Sequence, residues 1–254
     1  MIFITSDTHG QYERFKEIKG FCKEHHTTTD DTMIILGDAG INYYEDERDC
    51  KLKNFISTIP ITFFCIHGNH EQRPEEIKGI EHYRYSNSKY PEYDFLNSDI
   101  LKEEKYPNIK YGIDSYIYYI ESKPFLVFGG GYSVDKDYRI LKQKQGLKDY
   151  KYWTNELPSK KTIDDWKEDL KILFLCNPNI EWNIISHTCP KKYIPYEAFL
   201  PNIDQSKVDT TLEEFLDYVE EKINYNRWYC GHFHINKKID KLNFIYNDIL
   251  VIDY

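Results

Sequence analysis

Three apolar runs, separated by two segments of helical period, open the chain, and this alternation leaves its first seventy residues few ways to fold. Ile2–Ser6, Met33–Leu36 and Ile61–Ile66 read as short buried strands. Gln11–His25 carries Phe15, Ile18 and Cys22 at helical spacing, and Asp46–Ile59 sets Leu52, Phe55, Ile56 and Ile59 on one face. Strand–helix–strand connections within one sheet are right-handed, so the pattern predicts βαβ units and a parallel sheet. Each run ends in a polar motif: Asp7-Thr8-His9-Gly10, Gly37-Asp38 and Gly68-Asn69-His70-Glu71. In open α/β sheets that carboxyl edge is where ligands bind, so the motifs are expected to converge there.

Further along, residues 72–108 are polar, rich in Tyr and Glu, and hold Pro74, Pro91 and Pro107; they read as a surface excursion with some helix. From Ile109, Lys110–Gly112, Tyr116–Ile120 and Phe125–Phe128 are closely spaced strands that predict a second, more antiparallel sheet. Gly129-Gly130-Gly131 is read as a tight turn between strands in preference to a phosphate-binding loop. Lys136–Pro158 is a second excursion, and Ile163–Cys176 a helix. Trp182–Ile185 is a strand delivering Ser186-His187, and Arg227–Cys230 one delivering Gly231-His232-Phe233-His234. Between them Leu212–Ile223 is an amphipathic helix capped by Thr210 or Thr211. The tail, Lys237–Asp240, Asn243–Tyr246 and Ile249–Ile252, reads as β-structure. Without repeats or a linker, a single domain over residues 1–254 is expected.

The five motifs together offer oxygen and imidazole donors, the ligands a pair of divalent cations requires. D-x-H, G-D and S-H each arise often by chance, whereas G-N-H-E and G-H-x-H are rarer, and all five in order are hard to attribute to accident. His232 and His234 are two residues apart, so an extended backbone would send them to opposite faces. A tight turn after the strand is expected instead, and Gly231 suits it.

This set is similar to the signature of calcineurin-like metallophosphoesterases, and the likeness runs over nearly the whole chain. The resemblance implies an α/β fold, a four-layer α-β-β-α sandwich of two mixed sheets flanked by helices. It also implies that Asp7, His9 and His234 hold one metal, that Asn69, His187 and His232 hold the other, and that Asp38 bridges both. A bridging carboxylate fits, because two cations about 3.5–4 Å apart need a shared anionic ligand. By the same resemblance His70 protonates the leaving oxygen, a task suited to a side chain that ordinarily titrates near neutrality. The phosphoprotein-phosphatase pattern G-D-x-x-D-R-G is incomplete: Ile41 stands at its second aspartate, and its arginine is missing. His67 replaces the arginine of R-G-N-H-E. Arg73 and Arg139 are the candidates to substitute, and Arg139, Tyr132 and Arg73 are taken as substrate contacts, since arginine recognises phosphate in a planar, bidentate way.

The implied activity is metal-dependent hydrolysis of a phosphate mono- or diester by a metal-bridging hydroxide. Mixed N/O donors accept Mn, Fe, Zn, Ni or Co. A formal charge of −9 argues against an extended nucleic-acid surface, and the missing arginines weaken a phosphoprotein substrate, leaving a small phosphorylated or nucleotide-like molecule. A non-catalytic scaffold of the same fold would be expected to have lost several ligands; here all are present. Hydrophobic residues make up 41% and charged residues 30%, which is a globular composition. Six cysteines with no C-x-x-C are expected to be free thiols in a reducing cytosol. No signal peptide or membrane-length run is read, so a cytoplasmic location is expected, and no protein partner is inferred. His25, His26 and His82 lie in polar stretches and are expected at the surface.

Overall fold

Alternate residues of the N-terminal strands divide between two cores, which fixes the layering. The computed structural model describes residues 1–86, 97–199 and 205–252. Strands β1 (Ile2–Thr5), β2 (Thr32–Ile35) and β3 (Thr62–Cys65) pair in parallel, connected through helices α1 (Tyr12–Glu24) and α2 (Glu47–Ile56). Phe3, Met33, Ile35 and Phe63 pack against Phe15, Ile18, Leu52 and Ile56 of the two helices. Their neighbours Ile2, Ile4, Ile34 and Phe64 point the other way, toward Tyr118, Phe125, Val127 and Ile185 of a second sheet. Phe64 is fully buried at that inter-sheet layer, where truncation to Ala would cost about 3–5 kcal/mol.

The first sheet has seven strands in the order β13-β1-β2-β3-β6-β5-β4, the new members being β4 (Ile80–Arg84), β5 (Asp99–Glu103), β6 (Ile109–Tyr111) and β13 (Leu250–Ile252). The second has six, β11 (Lys237–Ile239), β12 (Leu242–Phe244), β10 (Tyr225–Cys230), β9 (Trp182–Ser186), β8 (Lys123–Phe128) and β7 (Ile117–Ile120), in that spatial order. Its outer face, with Leu126, Phe128, Ile184 and Trp228, is covered by Ile163, Trp166 and Leu170 of α4 (Lys160–Cys176) and by Leu212, Phe215, Leu216 and Val219 of α5 (Thr211–Lys222). The α-β-β-α sandwich is thereby complete. Among the described residues no helix is long and apolar enough to cross a membrane.

The structure corrects several expectations. In the 72–108 stretch, whose residues 87–96 lie outside the described ones, the described residues supply β4, β5 and one turn of 3-10 helix at Pro74–Glu76. β4 is an edge strand with Glu81, His82 and Arg84 exposed, so it lacks the apolar pattern of a strand. The second sheet begins at Ile117, because β6 pairs in parallel with β3 in the first sheet. Nor is that second sheet mainly antiparallel: β8, β9, β10 and β12 pair in parallel, and only its outer pairs β7–β8 and β11–β12 are antiparallel. Lys136–Pro158 contains helix α3 (Lys136–Lys144). Helix α5 is not capped by a threonine side chain; Asp209 accepts the Thr211 N–H at 2.9 Å instead. All six cysteines are free, with Cys22, Cys65, Cys189 and Cys230 buried. His25, His26 and His82 are exposed, as expected.

Candidate metal centre

The carboxyl ends of β1, β2, β3, β9 and β10 bring Asp7, His9, Asp38, Asn69, His70, His187, His232 and His234 together. Asp7, His9 and His234 form one group of donors within 4.8 Å of one another; Asp7, Asp38 and His187 form another, and His9, Asp38 and His70 a third. Asp38 stands between the clusters. Its Oδ2 lies 3.8 Å from His9 Nδ1, and its Oδ1 lies 3.7 Å from His187 Nε2.

Backbone strain aims these side chains. Asp7, His9, Asp38, His232 and His234 all have φ between 48° and 68°, the left-handed region that non-glycine residues rarely adopt. Left-handed turns at His232 and His234 resolve the two-residue spacing noted in the sequence. Two glycines are needed for close approach. A Cβ on Gly68 would fall 2.0 Å from Asp38 Oδ1, and one on Gly231 only 1.9 Å from Ser6 Oγ.

The donor atoms fit a cation better than they fit one another. His187 Nδ1 donates to the Leu36 carbonyl at 2.7 Å, so its Nε2 carries a lone pair. That lone pair faces Asn69 Oδ1 at 2.8 Å, and the amide orientation is set by Asn69 Nδ2 donating to Ser133 Oγ at 2.8 Å. His232 Nδ1 approaches the same oxygen at 3.0 Å. Buried Asp7 Oδ1 makes no well-aligned hydrogen bond among the described residues and faces His234 Nε2 at 3.4 Å, while Oδ2 accepts from Ser6 Oγ and the His232 backbone N–H. Facing acceptors, and a carboxylate oxygen and imidazole nitrogens held without well-aligned hydrogen bonds between them, are what a positive ion placed among them would satisfy.

Electrostatics point the same way. Burial works to raise Asp38, but the imidazoles of His187, His70 and His9 and the His70 backbone N–H outweigh it and hold the carboxyl far below its ordinary range. Asp7 is likewise lowered against burial, chiefly by its contact with His234, which is raised in turn. Burial pulls His232 down to about 3, leaving a neutral ring able to ligate.

His70 departs from the sequence expectation in its chemistry. Its backbone N–H donates to Asp38 Oδ1 at 2.7 Å, fixing the residue at the edge of the donor cluster. Burial, with a smaller push from Arg139, lowers its pKa to about 4, so the ring is neutral at pH 7. Arg139, buried on α3, sets Nη2 2.5 Å from His70 Nδ1 and 2.8 Å from Nε2. The same guanidinium donates to Asp135 Oδ2 at 2.7 Å and to the Lys151 carbonyl at 3.1 Å. Tyr132 lines the cavity over the cluster, with the Lys136 ammonium 4.3 Å from its ring centre. Arg73 does not line that cavity: it pairs with Asp114 at 2.8 Å and the Asn155 carbonyl at 2.8 Å and borders a different one. The triple glycine joins β8 to α3, not strand to strand, and a Cβ on Gly131 would sit 3.2 Å from the His232 ring.

Sequence reasoning missed the supports. Ser133 orients Asn69, and Glu156 Oε1 accepts the Ser133 N–H at 3.1 Å. Ser133 follows the triple glycine closely, which was its only signal; Glu156 had none.

A family model of calcineurin-like phosphoesterases matches residues 1–236, and the chain belongs to that family. Two solved structures resemble it over most of its length. One is the crystal structure of TT1561 of Thermus thermophilus, at 11% identity over 96% of this chain and 87% of that one, with a TM-score of 0.49. Another crystal structure matches at 12% identity over 96% of this chain and 88% of the other, with a TM-score of 0.51, a likeness of fold alone. A search of curated proteins found none that matches.

Proposed function

We propose that the protein hydrolyses a phosphate mono- or diester of a small molecule, with Asp7, His9 and His234 holding one divalent cation, Asn69, His187 and His232 a second, and Asp38 both. The observation that carries this is the set of acceptor atoms turned toward one another around Asp38, with Asp7 Oδ1 facing the imidazoles of His234 and His9 at 3.4 and 4.0 Å. When bound, the two cations supply Lewis acidity to the phosphoryl group and an activated nucleophile near neutral pH. The N/O donor set suits Mn, Fe, Zn, Ni or Co.

The chain's own groups supply the rest. Neutral His70 would stabilise the departing oxygen by a hydrogen bond from its ring N–H rather than act as a charged acid, the oxygen taking its proton from solvent, and Arg139 against the ring nitrogens adds the positive charge the ring lacks. Tyr132 reaches the substrate from the wall that follows the glycine loop, whereas Arg139, which does not line the cavity, acts through its contact with His70. The net charge of −9 favours a small substrate over a nucleic-acid backbone. The test is reconstitution with each metal, followed by side-by-side assay of a monoester and a diester chromogen. Turnover that needs metal and two ions bound per chain are expected. Full activity in chelator, or none with any metal, overturns the proposal.

A further inference from the structure

Beside the metal centre the cavity continues as an apolar compartment that hydrolysis of a phosphoryl group does not by itself require. The whole cavity measures about 590 Å³, within the usual size of small-molecule sites. Beyond Asp38, Asn69, His70, His232 and His234, its walls carry Ile194, Tyr196, Phe199, Val208 and Phe233. Phe199 and Phe233 are near-parallel, 17° apart with ring centres 6.0 Å from each other.

Two features limit what this compartment accepts. First, among the described residues its lining includes no lysine or arginine, so it offers no counter-charge to a second phosphate. Second, Glu213 of α5 lines it, only 4% exposed. Glu213 Oε1 accepts from Thr188 Oγ1 at 2.7 Å, but its Oε2 has no hydrogen-bond partner among the described residues. A buried carboxyl oxygen left unmatched beside a cavity calls for a donor from a ligand.

We infer that this compartment holds a nucleobase: a planar ring lying on the Phe199–Phe233 aromatic wall, with an N–H directed at Glu213 Oε2 and a single phosphoryl group at the metal centre. Every base has a face that stacks on an aromatic ring. A buried acceptor that must be matched discriminates strongly against an analogue lacking the donor. Sugar phosphates offer no planar apolar face, and polyphosphates meet no cationic side chain among the described residues of the lining. This rests on the proposed hydrolysis for the phosphoryl end but not for the base, so the two are tested apart.

Binding of nucleosides that carry no phosphate is measured by calorimetry on the intact protein in chelator at pH 8, where the Glu213 carboxyl is ionised and Oε2 is an acceptor. Adenosine is compared with purine riboside, which has the same ring without the exocyclic amine, and with ATP. Adenosine is expected to bind at least tenfold more tightly than purine riboside, the scale of one unmatched buried acceptor, and no more weakly than ATP. Glu213→Ala should erase the adenosine preference, and the wild-type comparison stands even if that variant does not fold. Absence of nucleoside binding, or equal affinity for the two purines, overturns the nucleobase assignment even where chromogenic esters are hydrolysed. Nucleoside binding in a protein that hydrolyses no ester would support the compartment while removing the proposed activity.

Discussion

Replacing Glu213 by Gln should make the protein more stable at pH 8 and slightly less stable near pH 4.5. Burial pushes this carboxyl up to about 7, against an ordinary 4.5, with the Thr188 hydroxyl only partly offsetting the loss of water. Below 4.5 the group is protonated in both folded and unfolded chains and contributes nothing. Between 4.5 and 7 the unfolded chain loses its proton while the folded chain keeps it, so stability falls as pH rises; above 7 the cost is constant. A rise of about 2.5 pKa units at ~1.4 kcal/mol each sets that cost at roughly 3 kcal/mol, without discount for screening because the side chain is buried. Glutamine keeps an acceptor for Thr188 but leaves its new amide N–H2 unmatched, returning about 1 kcal/mol. The net gain is about 2 kcal/mol at pH 8, or ~4–8 °C in Tm for a chain of this length. Thermal melts of both proteins in chelator, from pH 4.5 to 8, measure it. A difference that does not grow across that window would refute the burial argument, and a destabilised variant at pH 8 would mean that another group matches the carboxylate.

Three further substitutions probe the centre. Asp38→Asn should weaken both metal sites, because each carboxylate oxygen faces a different imidazole; elemental analysis and metal titration check this, and loss of a single ion speaks against a shared ligand. His70→Ala should lower turnover about 100-fold with metal content intact, while His70→Gln, a neutral donor like the wild-type ring, should lose less; equal losses would restore a charged acid. Gly68→Ala should cost about 1–3 kcal/mol of stability and much of the metal affinity, since the added Cβ would fall 2.1 Å from the Asp38 backbone nitrogen, which cannot move aside alone. Wild-type melting and metal content in that variant would show the loop to be adaptable.

What could be read from the sequence follows from what leaves a periodic trace. The buried strands β1 to β3 and helices α1, α2, α4 and α5 each have an apolar stripe or run, and each candidate ligand follows a strand. Helix α3 buries only Arg139, so its composition carried no helical period, and β4 lies at an exposed edge. The partner of β6 could not be inferred, because a three-residue apolar strand suits either sheet equally. At the centre, residue identities were legible and their environments were not. The low pKa of His70 comes from burial and from an arginine 69 positions away. The Ser133–Asn69 bond spans 64 positions, and no local pattern announces it.

The strain at the centre has a thermodynamic consequence. Left-handed backbone costs a non-glycine residue about 1–2 kcal/mol. Asp7, His9, Asp38, His232 and His234 all bear it, so together they draw on the order of 5–10 kcal/mol, comparable to the whole stability of a typical domain. The parallel strands hold these loops through main-chain bonds such as His9 N–H to the Asp38 carbonyl at 2.8 Å and Gly231 N–H to the His187 carbonyl at 2.9 Å. A cation at one hundred times its Kd adds about 2.7 kcal/mol, so two ions return about 5 kcal/mol to the same loops. Chelation is therefore expected to lower Tm by ~10–20 °C. Amide exchange should accelerate first in residues 6–10, 37–40 and 231–234, with the β1–β3 ladder protected until global unfolding. Exchange that rises evenly over both sheets, or a Tm indifferent to chelator, would show that the strain is balanced by the fold alone and that the loops do not depend on metal.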